Sequence, residues 1–391
     1  MSTYIFYGVT LLISLMFLSL STSKRLDFYL RKICAFLGMI FPCFIMGTRN
    51  KTGVDDIPYE KIFENVRQYG LLHYYEDGRS TEPGYVLINY IVDLLGGSFH
   101  WVIFVCAVIF CILIYKIFEY ESDKISMGWM FFVFFTMQYF YYVFGIMRLS
   151  LGVTIGVYGL RFLMKGNRKK FILTTLMATT CHYSALILFV LIPLTKWEEH
   201  TPEELEREEA FKKRGGFKQK HGLRQGVLIY RRQLLLAMLV AMPVAFLLAS
   251  KLIIPLLPPR YWRYAGNKFI LSIGSVLDKL PLLILFTMAE KRLIELNKHN
   301  ELYLLMFKFS FIMELYSKML SITRVNWYFW LGMCFLIPSF FKCIKKFYYR
   351  MIYMMGISAY CLYYMTHAYF IAEQSRSVLV PFRSVFFELA N

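Results

Sequence analysis

Long apolar runs alternate with short charged connectors along this chain, and few stretches show the every-second-residue pattern of a half-buried strand. Residues 3–20 carry no charge, and the basic cluster Lys24, Arg25, Arg31 and Lys32 follows them. A cleavable leader places its basic residues before the apolar stretch. The reversed order predicts a retained span with the N-terminus outside, and a second span over 30–47 returns the chain to the outer side. Residues 48–97 are expected to form an extracytoplasmic loop with eight acids and five Lys/Arg. Within it, GYVLINYIVDLLGG (84–97) is too short and too polar to span and is expected to lie as an interfacial helix. Further spans are expected near 98–118, 127–146, 148–165, 233–257, 267–289, 302–320, 325–341 and 351–372.

Residues 170–194 pose a topological question. One crossing there would put the Lys/Arg of 196–232, 291–298 and 342–350 outside, 17 basic residues in all. Entry and return near Cys181–His182 would keep all three clusters cytoplasmic, as the positive-inside rule favours. The expectation is therefore a re-entrant helical pair with His182 at its turn, enclosed by protein or lining a wet cavity. Residues 196–232 then become a cytoplasmic charged insertion, opened by a capping box at Thr201-Pro-Glu-Glu204. The fold class that results is all-α and polytopic, a single transmembrane domain over 1–391 with about ten transmembrane helices plus the re-entrant pair.

Composition sharpens this picture. Of 391 residues 58% are hydrophobic and only 18% charged, yet the net charge is +18. In a soluble chain that excess would suggest nucleic acid. Here it follows the connectors and reads as an orientation signal, so no nucleic-acid partner is expected. The eight cysteines form no CxxC pair and have no histidines at zinc spacing, so they read as packing residues and no metal is expected. With no phosphate-cradling glycine loop between a strand and a helix, no nucleotide cofactor is expected either.

Three arginines recur at outer span ends: Arg49, Arg148 and Arg324. A guanidinium keeps its charge at every relevant pH and grips phosphate oxygens as a fork, which suits a lipid pyrophosphate. A single arginine there can equally snorkel to ordinary headgroups; three together favour a site. Asp55, Asp56 and Glu82 are the loop carboxylates nearest turn signals and are candidates to activate or orient a hydroxyl, against the plainer reading of solvated loop acids. His182, ionisable and at the turn of an intramembrane hairpin, is a functional candidate or else a neutral ring satisfied by a carbonyl. Asp278–Lys279 and the pair Glu314/Lys318 read as structural, the latter from its i,i+4 spacing.

These landmarks together resemble the EpsG/Wzy-type membrane polymerases of bacterial exopolysaccharide, capsule and O-antigen synthesis. The matching pieces are GTR (47–49), GVDDIPY (53–59), EPGYVLIN (82–89), FGIMRLSLGV (144–153) with YGLRFL (158–163), CHYSAL (181–186), RVNWYF (324–329) and LVPFR (379–383). Leu149 stands where that pattern usually has glutamine, and Cys181 where it usually has an aromatic residue. The resemblance implies a GT-C-like glycosyltransferase in the cytoplasmic (inner) membrane with its active face outside. It would move a growing glycan from undecaprenyl pyrophosphate to an incoming lipid-linked repeat unit, without metal or cofactor. His182 or Asp55 would be the base, Arg49, Arg148 and Arg324 would hold pyrophosphate, and Tyr59 and Glu82 would contact glycan. Membrane lipid, and a chain-length regulator and flippase of the same pathway, would be its partners. The rival readings are an O-antigen-ligase-type transferase and a transporter of the same lipid-linked oligosaccharide.

Overall fold

The structure, a computed structural model, describes residues 2–53, 55–76, 78–137, 139–195, 237, 239–241, 244, 248, 271–317, 323–367, 379–387 and 389. Among the described residues the protein is all-α, with isolated β-bridge contacts such as that between Arg49 and Ser384. The insertion over 196–232, nearly all of the expected span 233–257, and Lys318 lie outside the described residues.

The first helices follow the apolar runs closely: α1 (Thr3–Ser21), α2 (Phe28–Thr48), α5 (Phe99–Glu121) and α8 (Met147–Met164). These four are long and apolar enough to cross a membrane. Asp27 caps α2 by accepting from the Leu30 amide at 2.9 Å, a standard way to satisfy an orphan donor in the first turn. Between α2 and α5 the loop holds two helices. One, α3 (Asp56–His73), has no counterpart among the sequence expectations; the other, α4 (Pro83–Leu94), is a helix within the stretch 84–97 where one was expected. Tyr85, Val86, Asn89 and Val92 of α4 are buried, while Leu87, Ile91, Leu94 and Leu95 at its exposed face are apolar.

Three expected spans are broken. Residues 127–146 divide into α6 (Met127–Thr136) and α7 (Tyr139–Gly145), with the Thr136 hydroxyl bonding back to the Phe132 carbonyl at the break. Residues 267–289 divide at Asp278–Lys279 into Ile273–Leu277 and Leu280–Leu296. Pro281 has no N–H to continue the first helix and sits instead in the opening turn of the second. Residues 325–341 divide into Thr323–Trp330 and Met333–Cys343.

The hairpin over 170–194 is present. Helix α9 (Arg168–Cys181) runs antiparallel to α8, stops at His182 in extended backbone, and a 3-10 helix (Tyr183–Val190) leads back. Its two ends meet, because the Arg168 guanidinium donates to the Thr195 carbonyl at 3.5 Å.

Two clusters mark opposite ends of the bundle. At one, residues 382–385 bind the start of α1 and the end of α2: Phe382 N donates to Thr3 Oγ1 at 3.0 Å, Val385 N to Thr48 O at 2.8 Å, and Asn50 N to Arg383 O at 2.8 Å. At the other, buried Glu121 accepts from Asn297 Nδ2 and Tyr303 OH, both at 2.8 Å, with His299 Nδ1 at 2.7 Å.

Candidate active site

At the Arg49 end, five separated segments bring charged groups together. Arg148 starts α8, and its guanidinium donates to Glu82 at the N-cap of α4 across 2.5 Å. The same guanidinium lies over the Tyr59 ring, 5.5 Å from its centroid. Asp55, half-buried at the N-cap of α3, is within electrostatic reach of Arg324 and Arg148. Arg324 is exposed, in the first turn of the helix Thr323–Trp330. His182 lies within electrostatic reach of Glu82, Arg148 and Arg324. The structure thus converges five of the sequence candidates: Asp55, Glu82, Arg148, His182 and Arg324.

Two candidates sit differently. Arg49 is wholly buried; its guanidinium donates to Met46 O at 3.0 Å, pairs with Asp56 at 3.5 Å and lies over the Phe144 ring. Asp56 in turn accepts from the Gly53 amide at 2.9 Å. The Arg49–Asp56 pair therefore folds the loop that presents its neighbour Asp55, so two adjacent carboxylates do different work. Tyr59 is also buried, beneath Arg148 and against Tyr85, with ring centroids 5.4 Å apart. Neither side chain offers surface to a ligand in this structure.

Electrostatics follow from that placement. Burial raises the Asp55 carboxyl above its ordinary range, and Asp56 adds to the rise, while Arg324 and Arg148 oppose it. Tyr59 is pushed up to about 12, chiefly by burial, with Arg148 opposing, so it stays a neutral phenol.

The sequence reading missed what holds His182. Its Nδ1 lies 2.6 Å from Ser184 Oγ and accepts from the Ser184 amide at 3.3 Å. Ser184 Oγ in turn lies 3.2 Å from the Tyr328 hydroxyl. An N–H donating into Nδ1 requires a lone pair there, which puts the proton of a neutral ring on Nε2. The Gly152 face of α8 allows this close approach, since a Cβ there would lie 3.0 Å from the Tyr328 hydroxyl and 3.1 Å from His182 Cβ. Both missed residues stand in pieces singled out by sequence, CHYSAL and RVNWYF, and the His-x-Ser spacing was the available signal. Among the described residues no three His, Cys, Asp or Glu side chains converge as a metal site would need.

Comparison with curated proteins gave no match, and comparison with solved structures gave none either. Comparison with family models matched residues 32–201 to the EpsG family. That match supports a membrane protein with a polysaccharide-polymerase-like, glycosyltransferase-like activity. The matched stretch runs from α2 to beyond the hairpin and contains Arg49, Asp55, Glu82, Arg148 and His182, while Arg324 lies past it. The segment that supplies all but one of these site residues is thus the part of the chain that is similar to the EpsG family.

Proposed function

We propose that this protein is a polysaccharide polymerase of the cytoplasmic membrane, with ten crossings, a re-entrant pair and a GT-C-like arrangement, working at its outer face. The observation that carries the reading is the convergence of Arg148, Arg324, Asp55, Glu82 and His182 at one end of the helical bundle. In this reading the acceptor hydroxyl attacks the anomeric carbon of the growing chain, and the bond to undecaprenyl pyrophosphate breaks. Charge builds on the departing pyrophosphate, where fixed positive groups are worth most. Arg324, exposed, is the open clamp; Arg148, braced by Glu82 and stacked on Tyr59, is the fixed one.

The proton of the acceptor hydroxyl goes to Asp55. Burial keeps that carboxyl a better base than a free aspartate while the two arginines keep it ionised. His182 takes a different role from a base, because its Nδ1 is occupied by Ser184; Nε2–H is left to donate a hydrogen bond to a glycan or phosphate oxygen. Arg49 and Tyr59 act through their neighbours, holding the Asp55 loop and Arg148. The energy comes from the activated pyrophosphate linkage, so the scheme routes no step through a nucleotide or a metal.

The test is direct. Purified protein incubated with a defined undecaprenyl-pyrophosphate repeat unit should give a ladder of products, each one unit longer than the last. Transfer of a single block to another acceptor, with no ladder, would assign the ligase reaction instead.

A further inference from the structure

Across the helix Thr323–Trp330 from this site lies a cavity of about 280 Å³, close to the lower end of the roughly 300–1,000 Å³ of small-molecule sites. Its walls include Tyr142, Asp278, Lys279, Glu314, Trp327 and Tyr364. The helix Thr323–Trp330 separates the two places and serves both. Arg324 and Tyr328 belong to the Arg148–His182 cluster, while Asn326, Trp327 and Trp330 face the cavity. The cavity also lies at the same end of the bundle. The helix Leu280–Leu296 starts beside Asp278–Lys279 and ends next to the Glu121 cluster. Its 17 residues separate the two levels by about 25 Å.

The charges in the wall choose the ligand. Lys279 is almost wholly covered: its ammonium donates to Ser275 O at 2.9 Å, pairs with Asp278 and Glu314 at 3.7 and 3.8 Å, and sits 4.2 Å over the Trp330 ring. The carboxylates are the more open partners, Asp278 at 39% and Glu314 at 13% side-chain exposure. An anion such as pyrophosphate meets two carboxylates there and one hidden cation. An acyl chain meets a wall too polar to cover it. A ligand that brings many hydroxyl donors on a compact apolar frame suits carboxylate acceptors set among aromatic rings. Asn326 adds polar capacity at the wall, with Nδ2 donating to Glu314 at 2.8 Å and its carbonyl oxygen unpartnered among the described residues.

Building on the polymerase reading, we infer that this cavity is a saccharide subsite. It holds one or two sugar rings of the lipid-linked unit by accepting hydroxyl hydrogen bonds on Asp278 and Glu314, while the pyrophosphate lies at Arg148 and Arg324. The subsite positions glycan; it does no chemistry.

The test separates this inference from the polymerase assignment by measuring binding without turnover. The full-length protein in detergent is titrated with the oligosaccharide released by mild acid from the cell's own lipid-linked unit, followed by tryptophan fluorescence. Saturable binding is expected. Asp278→Ala should weaken it about tenfold, the loss of hydrogen bonds to a charged acceptor, and Trp327→Phe about threefold. Monodisperse elution and an unchanged melting temperature keep misfolding apart from lost binding. In the ladder assay Asp278→Ala should raise KM about tenfold and Trp327→Phe about threefold, each with kcat within about twofold. Two results overturn the subsite: unchanged oligosaccharide binding and KM in both variants, or complete displacement of the sugar by millimolar magnesium, which would mark a cation site. Wild-type protein that binds the oligosaccharide but makes no ladder would sink the polymerase reading and leave the subsite standing.

Discussion

Arg148 and Arg324 carry the same charge in different settings, and replacing them tests different things. Arg148 is bonded to Glu82, whose carboxylate is nearly buried; Arg148→Ala leaves that carboxylate without its cation and should abolish polymer while the protein still inserts. Arg324 is exposed, so Arg324→Gln should leave folding untouched and act on rate alone. It should also move the pH profile. Asp55 must be ionised to accept a proton, so activity falls as pH drops through its pKa. That pKa is raised by burial and opposed by Arg324 and Arg148. Removing Arg324 removes an opposing influence, and the acid limb of kcat/KM should shift to higher pH; a limb that stays in place would rule out Asp55 as the base. Arg49 shows what the sequence alone conceals. Its type and its place at a span end resemble those of Arg148, but only the fold reveals that it is sealed behind Phe144 and paired with Asp56. Breaking a buried pair on one side costs about 3 kcal/mol or more, because the other charge stays buried alone. Arg49→Met should therefore lower the melting temperature sharply. Adding Asp56→Asn, which keeps an acceptor for Gly53, should recover part of that loss; strictly additive losses would show that the pair does not hold the loop.

At the scale of elements, uniform apolar runs were legible and interrupted ones were not. Helices α1, α2, α5 and α8 follow continuous hydrophobicity and fall within a few residues of expectation. The breaks at Met137, Asp278–Lys279 and Gly332 lie inside apolar runs, where packing decides whether a helix continues. Helix α3 was invisible for the opposite reason, its apolar positions being diluted by charges across Asp56–His73. The hairpin was legible because charge balance constrains topology even where local pattern does not. The meeting of Arg168 with Thr195 makes it testable. Tyr183, half exposed beside the turn, and Lys169, exposed near the base, are suitable reporters. In a variant lacking the native cysteines, Tyr183→Cys should react with a membrane-impermeant maleimide from outside and Lys169→Cys only from the cytoplasm. Cysteines at 169 and 195 should share a side; opposite sides would mean a full crossing and would reverse every later helix.

For the whole molecule, the net charge of +18 bears on the orientation proposed above. At the Glu121 end the basic side chains are knitted to neighbouring helices. Lys32 and Lys116 meet Glu119, Lys124 donates to Asn297 at 2.9 Å, and Lys342 donates to the Lys124 carbonyl at 2.6 Å. The Arg49 end instead gathers the site carboxylates and arginines. In the proposed orientation, basic loops retained on the cytoplasmic side put the site outside, where a polymer can grow without being exported afterwards. Lys51→Cys and Lys345→Cys, both at exposed positions, read this out in intact cells. The first should label with an impermeant reagent at once and the second only after permeabilisation. The reverse pattern would put Arg148, Arg324 and Asp55 in the cytoplasm and sink the assignment of an outer-face polymerase, whatever their geometry. The expected pattern would mean that the +18, which by itself resembles a nucleic-acid signature, turns the site towards the leaflet where the lipid-linked unit is consumed.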